Sequence, residues 1–173
     1  MIMSDSPKFD SDELFKRFVD LGIPFENYEH PPLRTVAESQ ALRGELPGAH
    51  IKNLFLRDRK RRYFLVTAWE DRKVDLKWLS GKIGAKGTLS FGSEDALLDL
   101  LGVEPGAVTP LGVVNDTDGT VTAFLDKALV DTDPINAHPL RNDMTTALSA
   151  ADLLRFMEES GHPPELIDFE SDD

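Results

Sequence analysis

The stretch 50–60, with the sequence HIKNLFLRDRK, decides how the middle of this chain folds. Ile51, Leu54 and Leu56 are apolar and favour a β-strand, and the charged run after them is typical of a turn. The next segment, 63–68 with the sequence YFLVTA, is again apolar and β-prone. We therefore predict a β-hairpin with a strongly basic turn.

Lys52 is the residue that does not fit this strand. It lies among apolar neighbours, and lysine side chains are rarely buried unless they are paired or functional. One interpretation is structural, because a lysine on an edge strand blocks pairing with another chain, and the strand pattern taken alone favours it. The other interpretation is that Lys52 belongs to a functional site.

The composition predicts a single globular domain. A chain of 173 residues without cysteine has no disulfide, no thiolate metal ligand and no cysteine nucleophile, which fits a reducing cytoplasm. The first six residues lack the basic start and apolar run of a signal peptide. No window approaches the roughly 20 apolar residues of a membrane span. We therefore predict a cytoplasmic protein without a membrane partner.

The charge distribution is strongly uneven. The chain carries −12 in total, which by itself argues against a nucleic-acid partner. Between Lys52 and Lys86, however, eleven basic and four acidic residues give a net +7, so the remaining residues carry −19. This asymmetry predicts an oriented contact with a polyanion, and the alternative is a solvated surface on which basic residues cluster by chance.

Helix and strand signals alternate along the chain without a regular βαβ rhythm. This predicts one mixed α+β domain over residues 9–161, with a disordered segment at 1–8 and an acidic tail at 162–173. Helices are expected after Asp10, from Thr35-Val36-Ala37-Glu38, over 75–83, and after Ser93 and Ser149. Further strands are expected at 23–28, 89–91, 111–114, 121–124, 127–130 and 145–148.

The common catalytic and metal-binding patterns are missing from the sequence. The four histidines, at 30, 50, 138 and 162, are scattered and form no metal-ligand spacing. The Gly-x-Ser-x-Gly motif of the α/β-hydrolases is absent. We therefore predict no metal and no cofactor.

Two later motifs complete a pattern that begins with the Lys52 strand. Residues 106–110 read GAVTP, which fits a G-x-x-x-P loop, and residues 138–142 read HPLRN. In this order, and over about 9–157, the chain resembles the YbaK/EbsC family, the editing domain of bacterial prolyl-tRNA synthetases and its free-standing relatives. The His-Pro-x-x-Asn element is most similar to the ProX (PrdX) branch, whose members remove alanine from tRNA(Pro).

The resemblance implies a fold and a reaction. The fold would be a mixed, mostly antiparallel sheet, partly closed in a barrel-like way, with flanking helices. The reaction would be hydrolysis of the ester between an amino acid and the terminal ribose of tRNA, with the acceptor end as partner and prolyl-tRNA synthetase as a transient one. The open alternatives are a Cys-tRNA(Pro) deacylase of the same family and a non-catalytic tRNA-binding or regulatory module.

The resemblance also implies roles for individual residues. The expected catalytic residues are Lys52, Gly106 and His138. The expected substrate-binding residues are Asn53, Ala107, Pro110 and Asn142. The basic turn would bind tRNA through Arg59, Lys60, Arg61 and Arg62. The proline pocket of a synthetase cannot strongly reject a smaller amino acid, because a missing methylene is worth only about 1–3 kcal/mol of binding energy. A second site that admits only small side chains would remove the amino acids attached to tRNA(Pro) by mistake.

Overall fold

The computed structural model describes residues 8–32 and 46–170. The helices are α1 Ser11–Leu21, α2 Leu76–Lys82, α3 Glu94–Leu101 and α4 Ala150–Glu159. The strands are β1 Glu26–Glu29, β2 Ala49–Arg57, β3 Tyr63–Trp69, β4 Ser90–Phe91, β5 Val121–Asp126, β6 Ile135–Ala137, β7 Met144–Leu148 and β8 Glu165–Ile167. Short 3-10 helices cover Pro105–Ala107, Pro110–Asn115 and Lys127–Leu129.

The strands form one mixed sheet in the order β1-β7-β6-β2-β3-β5-β8, and β4 pairs with β2 beside this path. The pairs β1–β7, β6–β7, β2–β3 and β2–β4 are antiparallel, whereas β2–β6, β3–β5 and β5–β8 are parallel. The single mixed α+β domain is therefore confirmed. The expected barrel-like closure is wrong: β1 and β8 stand at opposite ends of this order and do not pair with each other in the described part of the chain.

The predicted hairpin is formed by β2 and β3, and β2 lies inside the sheet. It pairs with β3 on one side and with β6 and β4 on the other. On that second side the pairing among the described residues covers only 49–50 and 56–57, so Lys52 has a strand partner there on the β3 side alone, and both interpretations of Lys52 remain.

The two faces of the sheet are covered by separate apolar clusters. On β2, Ile51 and Phe55 pack into the larger cluster with α1, α3 and α4. Leu54 and Leu56 point to the other face and pack with residues of α2 and β8. Because side chains alternate along a strand, Lys52 shares the face of Leu54, and Asn53 shares the face of Ile51 and Phe55.

Two predicted strands are 3-10 helices instead. In the segment 111–114, Pro110 starts the helix and the Thr109 hydroxyl accepts a hydrogen bond from the Leu111 amide at 3.2 Å. In the segment 127–130, the Asp126 carboxylate accepts one from the Ala128 amide at 3.0 Å. Capping by a side chain favours a helical turn over an extended strand at both places.

The C-terminal segment is more structured than an acidic tail. His162 is buried and its ring lies 2.8 Å from the Asp116 carboxylate, and β8 follows as an edge strand. The predicted helix from Thr35-Val36-Ala37-Glu38 lies outside the described residues, as does the predicted disorder of residues 1–7. No described helix is long and apolar enough to cross a membrane.

Candidate active site

Lys52 and His138 both follow the point at which β2 and β6 are paired. The parallel register pairs Ala49 with Ile135 and His50 with Asn136, and it ends there. Lys52 stands two residues further along β2, and His138 is the first residue after β6. The pairing therefore brings the segments that carry these two residues to the same end of β6, although 86 positions separate the residues in the chain.

His138 is held in one tautomer. Its Nδ1 lies 3.1 Å from the main-chain oxygen of Met144, which can only accept, so Nδ1 carries the proton. Burial lowers the pKa of His138, and nearby His30 lowers it further, against the raising effects of the Met144 carbonyl and Glu70. At neutral pH the ring is therefore neutral, and Nε2 has a lone pair that can accept a proton or a hydrogen bond from water.

Lys52 is fixed by the segment that follows β3. Its Nζ donates to the main-chain oxygen of Arg72, and the Arg72 guanidinium is paired in turn with the buried Asp126 carboxylate. An ammonium group has three hydrogens, so two remain for a substrate. This hydrogen bond holds the ammonium group in place without neutralising its charge.

The Gly106 loop lies on the opposite face and is attached to β2 through Asn53. Asn53 Nδ2 donates to the main-chain oxygen of Val108 at 3.1 Å. Asn53 is therefore a link between the sheet and this loop, whereas Lys52, its neighbour in sequence, points to the other face.

Gly106 lies close to the side chain of Asn142. A Cβ atom at position 106 would lie 2.8 Å from Asn142 Nδ2, so a side chain there would force Asn142 to shift. A cavity of about 430 Å³ opens beside the two residues. Its walls also include Leu98, Val103 and Leu140. The cavity therefore joins the Gly106 loop to the loop that carries His138.

The other two residues of the predicted loop face inward. Ala107 packs in the larger apolar cluster, and its amide already donates to Glu104 at 2.9 Å. Pro110 is buried and begins a 3-10 helix. In contrast, the amides of Gly106 and Val108 donate no hydrogen bond to any described residue. The Thr109 amide also donates none to a described residue, but Thr109 is buried, whereas Gly106 is exposed and Val108 is half-buried. The amides of Gly106 and Val108 are therefore the more accessible donors for a developing oxyanion.

The loop after β6 carries backbone strain. Leu140 has φ of +69°, a left-handed conformation that is rare for a bulky residue. It stands between His138 and Asn142, and it packs against the larger cluster. Strain of this kind persists only where the surroundings impose it, and it clusters at functional sites.

The basic turn between β2 and β3 is organised by Asp58. Its buried carboxylate accepts hydrogen bonds from the amides of Lys60, Arg62 and Lys86 at 2.9–3.0 Å and pairs with the Arg62 guanidinium at 2.8 Å. Burial opposes ionisation of Asp58, but the amides of Lys86 and Arg62 and the Arg62 guanidinium outweigh it and lower the pKa of Asp58 to about 2. Of the four predicted tRNA-binding residues, Arg62 is therefore already paired with Asp58.

The remaining cations of the turn point to solvent. Arg59, Lys60 and Arg61 are exposed, as is Lys86 in the neighbouring loop. Arg57 ends β2 five residues after Lys52, so the turn lies about 17 Å or more from Lys52 along the strand. The structure therefore keeps the basic turn apart from the residues around His138.

Metal ligands do not cluster in the described part of the chain. No group of three or more histidine, aspartate or glutamate side chains there is arranged to hold a metal ion.

Comparison with known proteins identifies the family. The profile described as the aminoacyl-tRNA editing domain matches residues 30–156. The chain belongs to the aminoacyl-tRNA editing family. This confirms the predicted resemblance and the predicted enzyme class, a hydrolase of aminoacyl-tRNA.

Two relatives and one solved structure agree with this assignment. A prolyl-tRNA synthetase associated domain-containing protein 1 of Danio rerio is 42% identical over 161 residues, covering 92% of this chain and 85% of the relative. The prolyl-tRNA editing protein ProX of Acetoanaerobium sticklandii is 41% identical over 144 residues, covering 83% and 87%. The structure of a candidate trans-editing enzyme for prolyl tRNA synthetase has the same fold, with a TM-score of 0.68, 20% identity, and 95% and 98% coverage.

Several supporting residues of this editing domain escaped sequence reasoning. Asp58 is one of the four acidic residues between Lys52 and Lys86, and Asp126 lies between the predicted strands 121–124 and 127–130. Neither position indicates a structural role by itself. Thr67 was seen only as part of a strand. A buried carboxylate or hydroxyl has no periodic signal, because its partners come from distant parts of the chain.

Proposed function

We propose that this protein is a trans-editing deacylase that hydrolyses the aminoacyl ester of mischarged tRNA(Pro), with Ala-tRNA(Pro) as the main substrate. The proposal rests on the match of residues 30–156 to the editing family, a range that includes Lys52, the Gly106 loop and His138. The 41% identity to a prolyl-tRNA editing protein supports tRNA(Pro) as the carrier.

The chemistry requires positioning more than a covalent nucleophile. An aminoacyl ester is already activated, so water can attack once the ester is held and the oxyanion is stabilised. Neutral His138 accepts a hydrogen bond from that water through Nε2, and the ribose hydroxyl beside the ester helps to activate it. Residues 51–55 of β2 have no strand partner among the described residues on the side of β6 and β4, and the ester would lie across this open edge, where groups from both faces of the sheet can reach it. There the amides of Gly106 and Val108 donate to the carbonyl oxygen as it becomes negative, and Gly106 allows the substrate backbone close access.

Lys52 binds the terminal phosphate or ribose. Two of its ammonium hydrogens are free for this contact, because the third is directed to the Arg72 carbonyl. The site needs no metal and no cofactor. A lysine acts here as a point charge that tolerates small changes in phosphate position.

Selection by size would take place next to the Gly106 loop. The cavity walls include Gly106, Leu140 and Asn142 together with the charged residues Glu104, Arg141 and Asp143, so they combine apolar contact with polar and charged groups. Selection by size requires a part of this site in which a small side chain such as that of alanine loses only contact energy, whereas a proline ring overlaps packed atoms. Asn142 and His138 then shape the pocket or order the water.

The basic turn would contact the tRNA away from the ester. Arg59, Lys60 and Arg61 lie about 17 Å or more from Lys52, so they would reach nucleotides beyond the terminal adenosine. Arg62 contributes by holding the turn through Asp58. The partners of the protein would then be aminoacyl-tRNA and, transiently, prolyl-tRNA synthetase in the cytoplasm.

A deacylation assay with alanyl-, cysteinyl- and seryl-tRNA(Pro) tests the proposal. Fastest hydrolysis of the alanyl ester is expected. Fastest hydrolysis of the cysteinyl ester would assign the protein to the neighbouring branch of the family. Tight tRNA binding without hydrolysis of any ester would indicate a non-catalytic module.

A further inference from the structure

Thr67 on β3 lies directly opposite Asn53 on β2 and is completely buried. Its Oγ1 lies 2.7 Å from Asn53 Oδ1. The other end of the Asn53 amide, Nδ2, lies 3.1 Å from the Val108 main-chain oxygen. Thr67, Asn53 and Val108 therefore form a continuous chain of hydrogen bonds.

The direction of this chain is fixed by chemistry. The Val108 oxygen can only accept a hydrogen bond, so the NH₂ group of Asn53 must face it. The amide oxygen of Asn53 then faces Thr67, which must donate its hydroxyl hydrogen. Without that donor, the Asn53 amide loses the contact that sets its rotation about the last side-chain bond.

The far end of the chain is the Gly106 loop. Val108 follows the 3-10 helix Pro105–Ala107, and its amide and that of Gly106 donate to no other described residue. If Asn53 rotated or moved away, the carbonyl of Val108 would lose this hydrogen bond. The amides of Gly106 and Val108 would then no longer be held in one orientation.

We infer that Thr67 is a positioning residue that acts through Asn53 to hold the oxyanion-binding amides of the Gly106 loop. This inference rests on the proposed deacylase function. It assigns Thr67 no contact with the substrate, since its side chain is enclosed between the sheet and the larger cluster. Donors preorganised for a transition state lower its energy only if they are held in place before the reaction.

The test compares two isosteric substitutions, Thr67→Val and Thr146→Val. Thr146 is a matched control because it is equally buried and donates to an asparagine on a neighbouring strand, Asn27, at 2.6 Å. It makes no contact with Asn53 or the Gly106 loop through these bonds. Thr67→Ser, which keeps the hydroxyl, is the rescue variant.

Thr67→Val is expected to lower kcat for alanyl-tRNA(Pro) at least about tenfold, with little change in KM. This loss is smaller than that caused by removing an oxyanion donor itself, because the donors are still present and are only less well oriented. Thr67→Ser should restore most of the rate, and Thr146→Val should leave it near wild type. In an Asn53→Ala background, Thr67→Val should cause no further loss, because the link is already broken. Equal loss from both valine variants, or additive loss in the double variant, would overturn the inference.

Hydrogen exchange provides a readout that does not depend on activity. The amide of Ala107, which donates to the Glu104 carbonyl in this loop, should exchange faster in Thr67→Val and remain unchanged in Thr146→Val. If this pattern appears and no ester is hydrolysed by the wild type, the positioning role stands and the proposed function fails. If the wild type is active and exchange of this loop is unchanged in Thr67→Val, the inference is wrong and the proposed function stands.

Discussion

His138 Nδ1 lies 3.1 Å from the main-chain oxygen of Met144, and this contact leaves Nε2 as the nitrogen that can accept a proton. The pKa of His138 is lowered by burial and by the neighbouring His30. A histidine whose pKa is lowered stays neutral at pH 7 and gains its charge only in more acidic solution.

Deacylation by the wild type should therefore fall as the pH is lowered, with a midpoint below the ordinary value of 6.5, and it should be flat around neutrality. The measurement is kcat/KM for alanyl-tRNA(Pro) across pH 5–8, corrected for spontaneous hydrolysis of the ester. His138→Gln should be slower and should lack this inflection. A wild-type rate that decreases as pH rises through 6–7 would show that protonated His138 is the active form.

Lys52→Ala should lower kcat/KM about 100-fold or more, because the site loses the only cation that the proposal places at the terminal phosphate or ribose. The melting temperature should change by only a few degrees, since Lys52 is half-buried and its one described bond is to the Arg72 carbonyl. Lys77→Ala, an exposed lysine of α2, is the matched control and should keep wild-type activity. A folded Lys52→Ala protein with full activity would remove Lys52 from the site.

Replacing Arg59, Lys60 and Arg61 together by alanine should weaken tRNA binding and reduce the slope of log Kd against log salt by about 2 to 3. Arg62 is left in place because it holds Asp58 and with it the turn. The control replaces Lys8, Lys16 and Lys127, three exposed cations outside the basic segment, and so changes the net charge equally. The same slope in both triple variants would place the tRNA on another surface.

Activity should survive prolonged treatment with a chelator, and the purified protein should contain no stoichiometric zinc. The described histidine and acidic side chains form no cluster suited to a metal. Magnesium also folds tRNA, so the substrate must be shown to keep its structure under the same conditions. Loss of activity that one divalent ion restores, with the tRNA intact, would contradict the metal-independent mechanism.

The sequence was sufficient to predict the elements that have a clear local pattern. The hairpin of β2 and β3 and the helix that begins at Asp10 are confirmed, because alternation and a capping side chain report on neighbours in the chain. The segment 111–114 was predicted wrongly, since a short, fully buried apolar run has the same composition in a strand and in a 3-10 helix. Strands β6 and β8, of three residues each, were not predicted.

The arrangement of the proposed site residues could not be predicted from the sequence. Lys52 and Asn53 are adjacent in the sequence, yet neighbours in a strand face opposite sides of the sheet. The segment before His138 lies beside β2 because β2 and β6 pair in parallel. A pairing between segments this far apart leaves no trace in either segment alone.

The ratio of kcat/KM for alanyl-tRNA(Pro) to that for prolyl-tRNA(Pro) tests the central claim most directly. The claim is that the site beside Gly106 and Asn142 selects the aminoacyl group by the size of its side chain. Both esters can be measured on the same tRNA with the same protein. We predict rapid hydrolysis of the alanyl ester and protection of the prolyl ester, with the seryl ester partly hydrolysed because a smaller side chain loses only contact energy. Hydrolysis of prolyl-tRNA(Pro) as fast as that of alanyl-tRNA(Pro) would contradict it.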